Sequence, residues 1–263
     1  MTPFALNEQF VNIILINFMV SIRILALFLT SAAFTFPSVP NQIKFWLSVA
    51  LAVAVTPLVN VNVPGILLGN WVGIFVMGGR EFIIGAFLGV ISSMPMYALQ
   101  ASGSIDGMIM GFSMMNMFDP MSQSQASVIA QIKYLLAVWF FLHWDGHFLL
   151  LRALIESVRL IPPGVSLWIN AVNIPWTDWL QRMFVLALRL NLPICGAVLL
   201  ADVGLGFVAR TVPQMNVFVL GIPLKICVGF FVLMSVLPSC VDIFHAEIEP
   251  AVTYALEGLF FWR

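Results

Sequence analysis

Two histidines and a carboxylate fall within five residues at His143-Trp144-Asp145-Gly146-His147, a place where metal-ligand types crowd together. A zinc site needs more ligands in fixed geometry, and no companion Cys/His cluster exists in the sequence. Asp145–Gly146 is moreover turn chemistry, which keeps the two imidazoles off a common helix face. The stretch reads as a loop at a membrane surface. Cys195, Cys227 and Cys240 are far apart in apolar surroundings and read as small buried hydrophobes. Glu247, Glu249 and Glu257 lie near His245 and Pro250 with no nucleophile, phosphate loop or metal cluster beside them. No catalytic constellation survives, and no cofactor or metal is expected.

The remaining charges pose the sharper question. Of 263 residues, 61% are hydrophobic and 9% charged, with mean hydropathy +1.03, where a soluble domain carries about 25% charged residues. The chain belongs in a membrane, and a formal net charge of −1 offers no basic surface for nucleic acid. Yet Arg23, Arg80–Glu81, Lys133, Arg189, Asp202 and Lys225 sit inside or against long apolar runs. A charge at bilayer mid-depth costs about 2.5–3.5 kcal/mol on insertion scales, so such residues face protein or a water-filled cavity. The pattern describes one wall of a polar-lined path, completed by neighbouring chains.

The elements that must position these groups are helical. Apolar runs cover residues 10–36, 43–59, 66–99, 128–142, 148–161, 183–209 and 217–237. At roughly 20 residues per span they predict about six hydrophobic helices with shorter pieces between. The fold class is an all-α membrane protein. Prolines mark breaks at Pro37, Pro40, Pro57, Pro64, Pro120, Pro162–Pro163, Pro175, Pro213 and Pro238, and Pro95 and Pro193 should kink or split the runs they interrupt. Lys and Arg are spread too evenly to fix orientation. The first helix, which follows no basic segment, reads as retained. Gly85 and Gly89, four apart, would let two helix backbones approach closely.

Two stretches stand apart. Residues 106–121 hold six of the fourteen methionines together with Gly107, Gly111 and Asp119–Pro120, ahead of a Ser/Gln-rich tract, and read as an apolar, mobile loop. Methionine is unbranched and polarisable, so such a loop can seal a pore and deform around different passing chains; a Met-rich loop buried for packing is the alternative. The second stretch, residues 204–225, brings two apolar helices to a polar elbow containing Arg210, Gln214 and Asn216, ahead of Lys225. Its amides can fix orientation in a low dielectric, although an ordinary turn between helices would use the same residues.

At these stretches the chain resembles the FliR/SctT family, the export-apparatus subunits of flagellar and virulence-type type III secretion systems. The resemblance runs through Arg80–Glu81 with Gly85 and Gly89, Gln100, Gly103, Asp106–Gly107, Gly111, Asp119–Pro120, Gly146–His147, Pro163–Gly164 and the segment from Arg210 to Lys225. The last segment is more similar to the flagellar branch than to the virulence branch.

The resemblance implies a non-enzymatic subunit of the export gate, one copy joining five FliP and four FliQ, with FlhB and FlhA as further partners. It implies an inner-membrane location at the flagellar base, partly protruding to the periplasmic side, and unfolded flagellar proteins as export substrates. It divides the chain into a FliP-like part, 1–185, and a FliQ-like hairpin with tail, 186–263. It makes residues 106–120 a pore plug, with Asp106, Gly107, Met108, Met110, Gly111, Phe112, Met114, Met115, Met117, Phe118, Asp119 and Pro120 as its members. Gly107 and Gly111 would be its swivels. Arg80, Glu81, Lys133, Arg189, Asp202, Arg210, Gln214, Asn216 and Lys225 are expected at subunit interfaces or the lumen. The same role in an injectisome stays open. So does a stand-alone secondary transporter using Arg80, Glu81 and Asp202, with broken helices at Pro95 and Pro193.

Overall fold

The computed structural model describes residues 3–35, 39–58, 71–112, 127–164, 175–212 and 217–260. Among them the chain is helical, with no strand. The α-helices are α1 (Pro3–Thr30), α2 (Asn41–Val55), α3 (Trp71–Ser92), α4 (Met94–Ile109), α5 (Val128–His143), α6 (Gly146–Leu160), α7 (Trp176–Thr211) and α8 (Val217–Phe260). A 3-10 turn at Thr56–Leu58 follows α2.

Among the described residues four helices are long and apolar enough to cross a membrane, in α1, α3, α7 and α8, or five if α5 and α6 count as one broken span. This all-α membrane architecture is the expected one. Run 43–59 yields a helix of only 15 residues, short of the roughly 20 a span requires. Run 66–99 is cut at Ser93, because Pro95 lacks the N–H that would carry α3 onward. The turn expected at Asp145–Gly146 is present, with Asp145 left-handed at φ 56. By contrast α7 continues through Pro193 and α8 through Pro238, where a break was expected. Each such proline removes one hydrogen bond; in a low-dielectric setting every other backbone group still gains by staying helical.

The chain divides into two compact units. The first comprises Met1–Met94, Asp145–Trp179 and Ile248–Arg263. Its core gathers Val20, Ile24 and Leu27 of α1, Ile84, Leu88 and Ile91 of α3, Leu154 and Val158 of α6, and Ala255 and Leu259 of α8. Here α1 and α3 run parallel in close contact. A Cβ on Gly85 would fall 2.1 Å from the Arg23 carbonyl oxygen, and one on Gly89 would fall 2.1 Å from Thr30 Oγ1. The glycine pair is a helix-packing device, as its spacing predicted.

The second unit comprises Pro95–Trp144 and Leu180–Glu247. In it α4 and α5 form an antiparallel pair held by the same device. A Cβ on Gly103 would meet Ala130 Cα at 2.7 Å, and one on Gly107 would meet Ser127 Oγ at 1.9 Å. Helices α7 and α8 form a second antiparallel pair, with Leu205 Cδ1 3.3 Å from the Cβ position of Gly221 and Asp202 against Lys225.

Candidate functional site

In the first unit Arg23 of α1 and Glu81 of α3 meet each other within the chain. Arg23 and Glu81 are fully buried. Arg23 Nε donates to Glu81 Oε2 at 2.7 Å and Nη2 approaches the same oxygen at 2.5 Å. The guanidinium also reaches Ser157 Oγ at 3.3 Å and the Ile161 carbonyl at 2.9 Å. One side chain on α1 thus fastens α3 and the end of α6. Burying a charge is costly unless it is paired and hydrogen-bonded, which dictates this geometry. Arg80 is satisfied less well: its Nη2 lies 3.8 Å from Glu81 Oε1, and its Nε and Nη2, like Glu81 Oε1, are buried without a hydrogen-bond partner.

In the second unit Asp106 stands at the centre of a buried polar cluster. Lys133 Nζ donates to Asp106 Oδ2 and, at 2.9 Å, to Ser102 Oγ. Asn191 Nδ2 donates to Asp106 Oδ1 at 2.5 Å. Three helices, α4, α5 and α7, are joined through one carboxylate. Burial pushes this carboxyl above its ordinary range, opposed by the Lys133 charge and by the hydrogen bonds from Lys133 and Asn191. Asn191 escaped the sequence reading; the signal was an amide alone among leucines, beside Pro193.

Expectations for the polar residues therefore divide. Glu81 and Lys133, expected at a lumen or a neighbouring subunit, are buried and paired inside the chain. Apolar periodicity marks such a charge as odd but does not say which helix holds its partner. Asp202 and Lys225 pair at 2.5 Å and stay partly exposed. Arg189 and Arg210 are exposed, whereas Gln214 and Asn216 lie outside the described residues.

The Met-rich stretch divides as well. Asp106, Gly107, Met108 and Ile109 are not loop: they form the last turn of α4. Gly107 is consequently no swivel, since it is there to let Ser127 approach. The residue whose backbone requires glycine is Gly111, at φ +92. Met108 is 68% exposed, while Met110 is fully buried among Ile129, Ile194, Val198 and Leu233. Phe112 packs against Phe230 with ring centroids 6.3 Å apart. Met114, Met115, Met117, Phe118, Asp119 and Pro120 lie outside the described residues.

The assembled geometry is thus a helical scaffold with locked interior charges. Most of the described surface of α7 and α8 is apolar and uncovered within the chain. Such helices are long and apolar enough to span a membrane. Among the described residues no group of three or more His, Cys, Asp or Glu gathers to hold a metal.

Comparison with known proteins places this scaffold. The model of bacterial export proteins, family 1, matches residues 14–251. The chain is 33% identical over 245 residues to flagellar biosynthetic protein FliR of Bacillus subtilis strain 168, covering 92% of each chain. It is 28% identical over 234 residues to FliR of Escherichia coli K12, covering 88% of each. Yop proteins translocation protein T of Yersinia pestis is 29% identical over 160 residues, 59% of this chain and 60% of that one. With a family model spanning nearly its whole length and a relative this similar from end to end, the chain belongs to the bacterial export proteins, family 1, the family its motifs resemble.

Proposed function

We propose that this chain is the FliR-type subunit of a flagellar type III export gate in the bacterial inner membrane. In this reading one copy assembles with five FliP and four FliQ, near FlhB and FlhA, and partly protrudes to the periplasmic side. It lines and plugs the pore through which unfolded flagellar proteins pass, and it performs no catalysis. Residues 1–185 act as the FliP-like part and 186–263 as the FliQ-like hairpin. Similarity to FliR over 92% of the chain, against 59% for the Yersinia protein, favours the flagellar branch.

The observation that carries the plug is the pinning of both loop ends. Gly107 accepts Ser127 in contact, Ser127 Oγ reaches the Gly103 carbonyl at 3.5 Å, and Asp106, the residue before Gly107, pairs with Lys133 of α5. A loop closed at its base by helix packing can bulge and retract without unravelling the helices beneath it. The exposed apolar flank of α7, with Leu188, Leu192, Leu199, Val203 and Phe207 outward, supports a role surrounded by sister subunits. Arg189 lies on the same helix, and its charge calls for a polar neighbour.

The test replaces residues 113–120 with Gly and Ser in the chain co-expressed with FliP and FliQ. The complex is expected to assemble and to leak ions and small solutes. An assembled complex that stays tight would overturn the plug.

A further inference from the structure

Helix α2 is inverted relative to a helix that faces water. Its buried stripe, Lys44, Ser48, Ala52 and Val55, holds the polar side chains, while Ile43, Phe45, Trp46, Leu47 and Val53 are 45–68% exposed. A large apolar face left open in this way marks a surface that meets lipid or protein. Lys44 is only 7% exposed, yet among the described residues its ammonium makes no hydrogen bond or ion pair. A cation so enclosed calls for a counter-charge.

Lys44 stands in the first turn of α2, whose N-cap, Pro40, makes no side-chain capping bond. The Pro40 carbonyl accepts the Ile43 and Lys44 N–H groups, and those of Asn41 and Gln42 have no partner among the described residues. Helical side chains lean toward the N-terminus, so the Lys44 stem carries its ammonium toward these same N–H groups. A helix N-terminus repels a cation and attracts an anion. Amides and ammonium thus present one sign of charge to one place.

We propose that the N-terminus of α2 binds the phosphate of an anionic phospholipid, held by Lys44 and the Asn41 and Gln42 N–H groups, with the acyl chains lying along Phe45, Trp46, Leu47 and Val53. The helix is graded along its axis to match. Asn41 and Gln42, exposed and polar, lie at one end, and Trp46, a residue type that gathers at headgroup level, follows about one turn on. From Phe45 to Val55 the helix carries no charge; that stretch is about 16 Å long at about 1.5 Å per residue, close to the roughly 15 Å of hydrocarbon in one leaflet. Beyond Gln42 the outward face offers no polar side chain with which a sister helix could fix its register, whereas acyl chains accept any register.

Trp46 reports the contact. Lipids brominated on their acyl chains quench a tryptophan they touch, and in the full chain co-purified with FliP and FliQ the part of the quenching lost in Trp46→Phe belongs to α2. Brominated phosphatidylglycerol should reach half of that quenching at about fivefold lower mole fraction than brominated phosphatidylcholine, the preference one lysine confers near anionic lipid. Lys44→Gln should abolish the preference and Lys44→Arg should keep it; a preference that survives Lys44→Gln would overturn the site. Two outcomes on the wild-type complex do so without any change at Lys44. Equal quenching by the two lipids would remove the phosphate site, and no Trp46-dependent quenching by either would show α2 covered by a sister subunit. Inorganic phosphate in about tenfold excess over the lipid should leave the signal unchanged, since it lacks the acyl contacts; displacement by it would mean a small-anion site in place of a lipid site.

Discussion

Removing Glu81 should harm this protein more than removing Arg23, although they form one ion pair. Both are fully buried, and breaking such a pair costs about 3–5 kcal/mol because a charge is left stranded. The strandings differ. Arg23→Leu leaves Glu81 with Arg80 Nη2 already 3.8 Å from its Oε1, and Arg80 has two buried nitrogens lacking hydrogen-bond partners. A modest rotamer change lets Arg80 take over, holding the cost near the lower end of that range. Glu81→Leu leaves two guanidinium groups facing each other without a carboxylate, which puts the cost at the upper end or beyond. Replacing both with Met removes the charges of the pair together, strands the Ile161 carbonyl, which Arg23 Nη2 serves at 2.9 Å, and leaves Arg80 without the carboxylate beside it; an unsatisfied acceptor costs about 1–3 kcal/mol. The expected order of stability is wild type, Arg23→Leu, Glu81→Leu, with the double variant losing less than the sum of the two single losses. Equilibrium unfolding in mixed detergent micelles measures it, followed by tryptophan fluorescence, to which Trp179, packed on Phe87 in the same unit, contributes. If Arg23→Leu proves costlier than Glu81→Leu, or the double variant loses the sum of the single losses, the account of Arg80 as a substitute partner is wrong.

Two further expectations concern packing and exposed charge. Gly85→Ala sets a methyl 2.1 Å from the Arg23 carbonyl oxygen and should cost about 1–3 kcal/mol by prising α3 from α1, whereas Gly79→Ala, with nothing within 4 Å of its Cβ, should be neutral or gain up to about 1 kcal/mol of helix propensity; the same unfolding experiment compares them. Lys225→Leu breaks only a partly exposed pair with Asp202, worth about 0–1 kcal/mol, so co-purification with FliP and FliQ should survive it. Arg189→Leu removes an exposed cation from a helix that must meet protein, and should lower complex yield; equal yields would show that Arg189 reaches water by snorkelling.

Composition and period determined a good deal alone. Apolar runs of span length leave no soluble alternative, and β-structure is not what those runs encode, so the all-α membrane class follows from transfer energy and helix geometry. Gly85 and Gly89 were legible as a packing face because a four-residue spacing is a property of one helix. Pro95 was legible as a break for the same local reason, and Asp145–Gly146 as a turn. Charges in apolar runs announced that each needed a partner.

Which partner it was, only the tertiary structure decided. Arg23 and Glu81 are 58 residues apart and Asp106 and Asn191 are 85 apart; no local period relates them, because helix packing, rather than chain spacing, brings them together. A break expected at Pro238 is absent because a proline's local penalty can be outweighed along a helix that also passes through Pro223 and Pro250 while its other backbone groups gain from staying helical. The Met-rich stretch looked uniform because its residues share one chemistry. Packing split it, sending Met108 outward and burying Met110 among Ile129, Ile194, Val198 and Leu233, since a side chain's place depends on whether another helix leaves room for it.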